Sequence, residues 1–167
     1  MKFDKIIAAA ALSLAAASSF ADSGGGALDL STGSTFFGRT PSGSSFVDTY
    51  TFTLTGGSFL TTGSVDSSAI GGQDIDFTGI TIMRGATTVA SFANGGTDAQ
   101  EHYTLAQTLL TPGNYALVVT GTQSVDAASY AGNLAMVAAP VPEPEAYAML
   151  IAGLGVLGFV ARRRRQR

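Results

Sequence analysis

Cysteine and tryptophan are absent from the 167 residues, and histidine occurs once, as His102. Without thiols the chain has no disulfides, no thiol catalysis, no lipoprotein acylation and no cysteine metal site. Basic residues are missing from the middle of the chain. Between positions 22 and 139 only Arg39 and Arg84 stand against nine Asp and Glu, a balance of −7, while the remaining Lys and Arg lie near the two ends. Such an acidic region has no electrostatic attraction for nucleic acid. Local catalytic signatures are missing too: no Gly-x-Ser-x-Gly elbow and no His-Glu-x-x-His occur, so nucleophilic and zinc hydrolysis lack their usual geometry. The run Gly153-x-Gly155-x-x-Gly158 has the letters of a dinucleotide fingerprint, but no strand precedes it and no acidic residue follows about 20 positions on. It is accidental.

What is present lies first at the ends. Residues 1–21 open with Lys2 and Lys5, continue through an apolar stretch over 6–17 and close on Ser19-Phe20-Ala21, the layout of a secretory signal peptide. At the other end Val141-Pro142-Glu143-Pro144-Glu145 precedes an apolar run over 146–161, then Arg162, Arg163, Arg164, Arg165 and, after Gln166, Arg167. As a helix that run covers about 24 Å, against a hydrocarbon layer of about 30 Å, so Tyr147 and the arginines must sit at the interfaces for it to span. The arginines resist transfer and mark the cytoplasmic side. Two prolines around Glu143 fix φ and remove amide donors, which leaves an extended segment just outside the membrane. The glycines of the run permit close approach of another helix.

These three parts in order, Pro142-Glu143-Pro144, a short Gly-bearing helix and the cluster Arg162 to Arg165, resemble the PEP-CTERM sorting signal. The resemblance covers about the last 28 residues, 140–167. It implies an exported precursor anchored in the inner membrane of a Gram-negative bacterium and processed by exosortase. The mature protein is then expected at the cell surface or in the extracellular matrix, with a link to exopolysaccharide or biofilm. The other expected partners are the Sec translocon and signal peptidase.

Between the ends, Gly, Ser and Thr abound and favour strands over helices. Residues 22–45 read as a flexible lead-in with at most one short strand, over 27–30. Residues 46–139 predict one β-domain, with strands over 46–55, 58–65, 77–83, 87–93, 101–110, 115–120 and 130–137 separated by Gly-rich turns. The fold class is all-β, an antiparallel sandwich of jelly-roll-like form. Within 46–55, Phe46, Tyr50, Phe52 and Leu54 share one face, and Asp48 falls on the same face. A carboxylate there must collect hydrogen bonds, from backbone amides or a buried Tyr, or else bind calcium. Phe46-x-Asp48-x-Tyr50 resembles the motif of FxDxF-type PEP-CTERM proteins, with Tyr at its last position. The span 46–136 is also similar to bacterial pre-peptidase C-terminal β-sandwich domains, which implies a fold and no function.

Asp74 and Asp76 form an Asp-x-Asp pair beside Gly71-Gly72. They are calcium candidates without the further ligands of an EF-hand, and a solvated turn explains them equally. His102 falls with Thr104, Ala106 and Thr108, opposite Tyr103, Leu105 and Leu109, and is expected at the surface. No catalytic residue, metal ligand set or cofactor is expected, and the chain reads as a non-enzyme. The other reading of the β-domain is a secreted carbohydrate-binding or adhesion module.

Overall fold

The computed structural model describes residues 22–69, 71–125, 128–140 and 144–164, with the side chains of 144–146 and 158–161 outside the description. The signal peptide expected over 1–21, together with Pro142, Glu143 and Arg165, therefore lies outside the described residues. In chain order the described elements are β1 (Asp22–Ala27), β2 (Ser34–Arg39), β3 (Ser45–Leu54), β4 (Phe59–Ser68), β5 (Ile75–Arg84), β6 (Thr87–Ser91), β7 (Ala93–Asn94), β8 (Gln100–Leu110), β9 (Gly113–Gln123), β10 (Tyr130–Ala138) and helix α1 (Pro144–Arg164).

Two five-stranded sheets are formed, ordered β1-β3-β9-β5-β6 and β2-β10-β4-β8-β7, where a jelly roll has eight strands. Every pairing is antiparallel except β1 with β3, which run parallel. Alternation along β3 is strict: Phe46, Asp48, Tyr50, Phe52 and Leu54 are buried and their neighbours are not. These residues meet Val65, Leu105, Leu110 and Leu134 of the second sheet in one core, because side chains two apart on a strand point the same way.

Three expectations change. Residues 22–45 are not a loose lead-in. They supply two strands, and Leu30 and Phe37 enter the core at 5% and 8% exposure. Composition misled because Gly24 and Gly25 of β1 serve close contact instead of flexibility: Gly25 takes φ +117°, and a Cβ there would lie 2.0 Å from the Thr49 carbonyl oxygen. Gly25→Ala is expected to cost about 1–3 kcal/mol and to free β1, read as a lower melting temperature with new proteolysis confined to the first residues of the domain.

Two bulges overturn simple alternation. Between Phe77 and Gly79 the register with β9 shifts, so Ile75 and Phe77 face the core and, one residue out of step, so do Ile80 and Ile82. In β8 the shift opposite Thr61 and Gly63 turns Leu105 and Leu110 inward and leaves Leu109 57% exposed. An extra residue in one strand exchanges its faces. The run 87–93 divides at buried Phe92, so β6 lies in the first sheet and β7 in the second.

Helix α1 has 21 residues, about 31 Å at 1.5 Å per residue. Pro144 opens it, where a missing N–H costs no helical bond, and Arg162, Arg163 and Arg164 occupy its last turn, where cations suit the carbonyl end. Its described apolar side chains, among them Met149, Leu150, Ile151, Leu154, Val156 and Leu157, are exposed and lie on all sides. Among the described residues no helix is long and apolar enough to cross a membrane.

Candidate functional site

The polar centre of the β-domain is Asp48, which is fully buried. Both of its carboxylate oxygens are engaged. Arg39 Nη1, from the end of β2 in the opposite sheet, donates to Oδ1 at 2.5 Å, and the Tyr130 hydroxyl at the start of β10 donates to Oδ2 at 2.5 Å. Since that uses Tyr130's one proton, Tyr50 is the donor in the 2.9 Å contact between the two hydroxyls. The other branch of the Arg39 guanidinium donates to Asp22 at the start of β1, and Asp22 also accepts from the Ser42 amide at 2.7 Å.

Aromatic rings enclose this chain. Phe46 stacks on Tyr130 with centroids 5.7 Å apart, and Phe37 meets Tyr50 at 4.8 Å. Phe46, Asp48 and Tyr50 thus stand in one buried assembly. Burial, followed by donation to Asp48, raises the Tyr130 hydroxyl well above the usual tyrosine range, which keeps it a donor at physiological pH. The arrangement ties β1, β2, β3 and β10 together across both sheets. Asp48 is not arranged as a calcium ligand, because the guanidinium fills the cation's place.

The sequence left backbone amides, a buried Tyr or calcium open as partners of Asp48; Tyr130 is the one found, and Arg39 and Asp22 were not singled out. The signal was available: a buried carboxylate calls for a cation, and the domain holds only Arg39 and Arg84. Arg84 is placed elsewhere, on Thr111 Oγ1 at 3.0 Å and the Pro112 carbonyl at 3.1 Å, with its guanidinium over the Tyr115 ring.

His102 is exposed, as its alternation implied, but not alone. Its Nδ1 pairs with Asp66 Oδ1, and Ser64 Oγ donates to the other Asp66 oxygen at 3.1 Å. A hydroxyl on the far side of the carboxylate cannot give its proton to the imidazole, so these residues are not ordered as a nucleophilic triad. Asp74 precedes β5 and is half-buried, while Asp76 lies exposed within it. Among the described residues no three His, Asp or Glu side chains are gathered closely enough to hold a metal ion.

The fold shows likeness to solved structures at low identity. The pre-peptidase C-terminal domain of collagenase from Bacillus anthracis is 14% identical over 70% of this chain and 96% of that one, with TM-score 0.35. PliG of Aeromonas hydrophila, a periplasmic inhibitor of g-type lysozyme, is 13% identical over 70% and 98%, with TM-score 0.39. A β-glucosidase from Paenibacillus barengoltzii is 13% identical over 70% of this chain and 12% of that one, with TM-score 0.30. No curated protein matches by sequence.

The C-terminal end is matched directly. Residues 140–165 take in the two prolines around Glu143, the whole of α1 and the four consecutive arginines, and over them the chain carries a PEP-CTERM protein-sorting motif.

Proposed function

We propose that this chain is an exported, non-enzymatic protein of the cell surface or extracellular matrix, delivered as a membrane-anchored precursor and processed by exosortase. The observation that carries the reading is the sorting motif over 140–165. Export runs through the Sec translocon, and signal peptidase cuts after Ala21. Helix α1 then holds the precursor in the inner membrane, its arginines on the cytoplasmic face and the acidic β-domain outside.

Physical arguments support the anchor. A helix apolar on every side has no favourable place in water. Its apolar part is short for a bilayer, but arginine side chains reach back to the interface and a bilayer thins at modest cost. The motif's prolines withhold amide donors and so limit helical pairing at the point where a processing enzyme must grip the backbone, and the domain's acidity keeps the released product soluble. Its association with exopolysaccharide or biofilm is part of the same proposal.

Protease added outside spheroplasts tests the topology. With the processing enzyme absent, the β-domain is expected to be degraded while the arginine end stays protected in the membrane fraction. Recovery of the intact chain from the cytosol would contradict the reading.

One observation favours a second function for the mature domain: Phe36 on β2 is 83% exposed. An aromatic ring open to solvent is a platform on which a sugar face stacks. Glycan-array binding that disappears in Phe36→Ala would support a carbohydrate-binding module, and an array without signal would remove it.

A further inference from the structure

The strand directions give the sandwich two unlike ends. Turns 28–33, 55–58, 85–86 and 111–112 share one end, and β10 finishes there at Ala138. Among the described residues the charges of those turns and the strand ends beside them are Asp29 and Arg84, one of each sign. Asp66, Asp74, Asp76, Asp98 and Glu101 lie toward the other end, near the end of β4 and the starts of β5 and β8. Asp22 and Asp48 share Arg39. The unbalanced acidity of the domain therefore sits away from the end at which the chain departs toward α1.

At that exit end the outer face of the second sheet finishes in an apolar row. Val137 pairs with Leu60, and Leu60 with Leu109, across β10, β4 and β8. Val137 is 61% and Leu109 57% exposed, and Leu60 is half-buried. The bulge between β4 and β8 brings Leu109 outward into line with the other two. Aliphatic side chains set side by side in water mark a contact surface. The Ala139 amide donates to the Ser58 carbonyl at 2.9 Å, so the chain is held at this end up to that residue. Five steps of chain, from Ala139 to Pro144 at the start of α1, reach about 18 Å even when fully extended.

We propose that the row of Val137, Leu60 and Leu109 seats the β-domain of the precursor on the lipid surface that anchors α1, with the acidic end turned away from it. The proposal rests on the reading of α1 as a membrane anchor. With α1 in the bilayer, the tether keeps the row within about 18 Å of the interface, so a contact too small to form from solution is made at high effective concentration. Aliphatic side chains gain by entering the boundary between headgroups and acyl chains. Charge sets the orientation. Anionic headgroups repel the acidic end, and the repulsion is screened beyond about 10 Å at 0.1 M salt. The far row of this face, eight residues along β4 from Leu60 to Ser68, lies about 27 Å away. Seating keeps the domain's exit at the level where a membrane-embedded enzyme works. Cleavage removes the tether, and because three side chains alone do not hold the domain, it is released.

The chain has no cysteine, so single labels can be introduced cleanly. Full-length protein carrying an environment-sensitive fluorophore at Leu109→Cys, Gln100→Cys or Leu154→Cys is placed in vesicles of phosphatidylethanolamine and phosphatidylglycerol, with and without doxyl-labelled lipid. The Leu154 position reports α1, and Gln100, paired with Ser68, reports the far end of the same face. Blue-shifted emission quenched by doxyl lipid is expected at 154 and 109, with water-like emission at 100. Adding Val137→Asp, at an exposed position of the row, should return the 109 label to water-like emission and leave the 154 label unchanged. Water-like emission at 109 with lipid-like emission at 154 would overturn the seating and leave the anchor standing. Water-like emission at both would remove the anchor and the seating with it. A blue shift at 109 that doxyl lipid does not quench would place a second copy of the chain on the row and overturn the lipid assignment.

Discussion

Deleting Pro142, Glu143 and Pro144 is expected to abolish processing: the full-length precursor accumulates in the inner membrane and no mature form reaches the cell exterior. The β-domain ends its last strand at Ala138 and α1 begins at Pro144, so the deletion takes two residues that precede the helix in sequence and its first residue. Proline cannot continue a helix upstream and disfavours helical geometry in the residue before it. Without both prolines nothing stops α1 from winding back through Val141 to Pro140, which would hide the backbone that a processing enzyme must grip. Glu143→Gln keeps the conformation and removes only the charge, so a full defect there would assign recognition to the carboxylate, and normal processing would assign it to the backbone. Immunoblots of membrane and medium read both variants, and normal delivery of the deletion variant would count against the sorting account.

Arg39→Ala is expected to destabilise the β-domain by about 3–5 kcal/mol, the cost of leaving a buried charge without its partner. Against a total of about 5–15 kcal/mol for a domain, that is a large share, and degradation in the cell should follow. The size comes from asymmetry in the pair. Asp48 is completely buried and cannot turn to water, whereas the Arg39 side chain is 25% exposed. Asp48→Ala therefore leaves a guanidinium that stays on Asp22 and meets solvent, and it is expected to cost less than Arg39→Ala. Tyr130→Phe removes a single donor to Asp48 and should cost about 1–3 kcal/mol. Urea unfolding at neutral pH checks the order; an Arg39→Ala loss below about 1 kcal/mol would place the pair among exposed ion pairs and contradict the description of the network.

Much of this fold was legible because β3 alternates without interruption. Phe46, Asp48, Tyr50, Phe52 and Leu54 read as one face in the sequence and are one face in the molecule. Legibility stopped where one residue changes the phase. The bulges near Gly79 and Gly63 put Ile80 and Leu110 in the core and Leu109 outside it, and period-two reasoning carries no signal for an inserted residue. The N-terminal strands were missed for another reason. In Asp22–Ala27, Ser-Gly-Gly-Gly reads as a linker, yet Gly24 lies against the Arg39 guanidinium and Gly25 against Thr49, contacts that local composition does not announce.

The site residues divide in the same way. Pro142, Glu143, Pro144 and the arginines form a contiguous pattern whose meaning depends on order along the chain, so the motif over 140–165 was readable without coordinates. Partners distant in sequence were not. Tyr130 reaches Asp48 across 82 positions because one sheet packs on the other, and Asp66 meets His102 across 36 through the pairing of β4 with β8; only the folded sheets establish either contact.

The most direct measurement is the intact mass of the mature protein, from cells that possess exosortase and from cells in which it is inactivated. With the enzyme, the recovered chain is expected to begin at Asp22 and to lack α1 and the arginines. Without it, the chain begins at Asp22 and retains every residue to Arg167. An identical C-terminus in both strains would contradict the account.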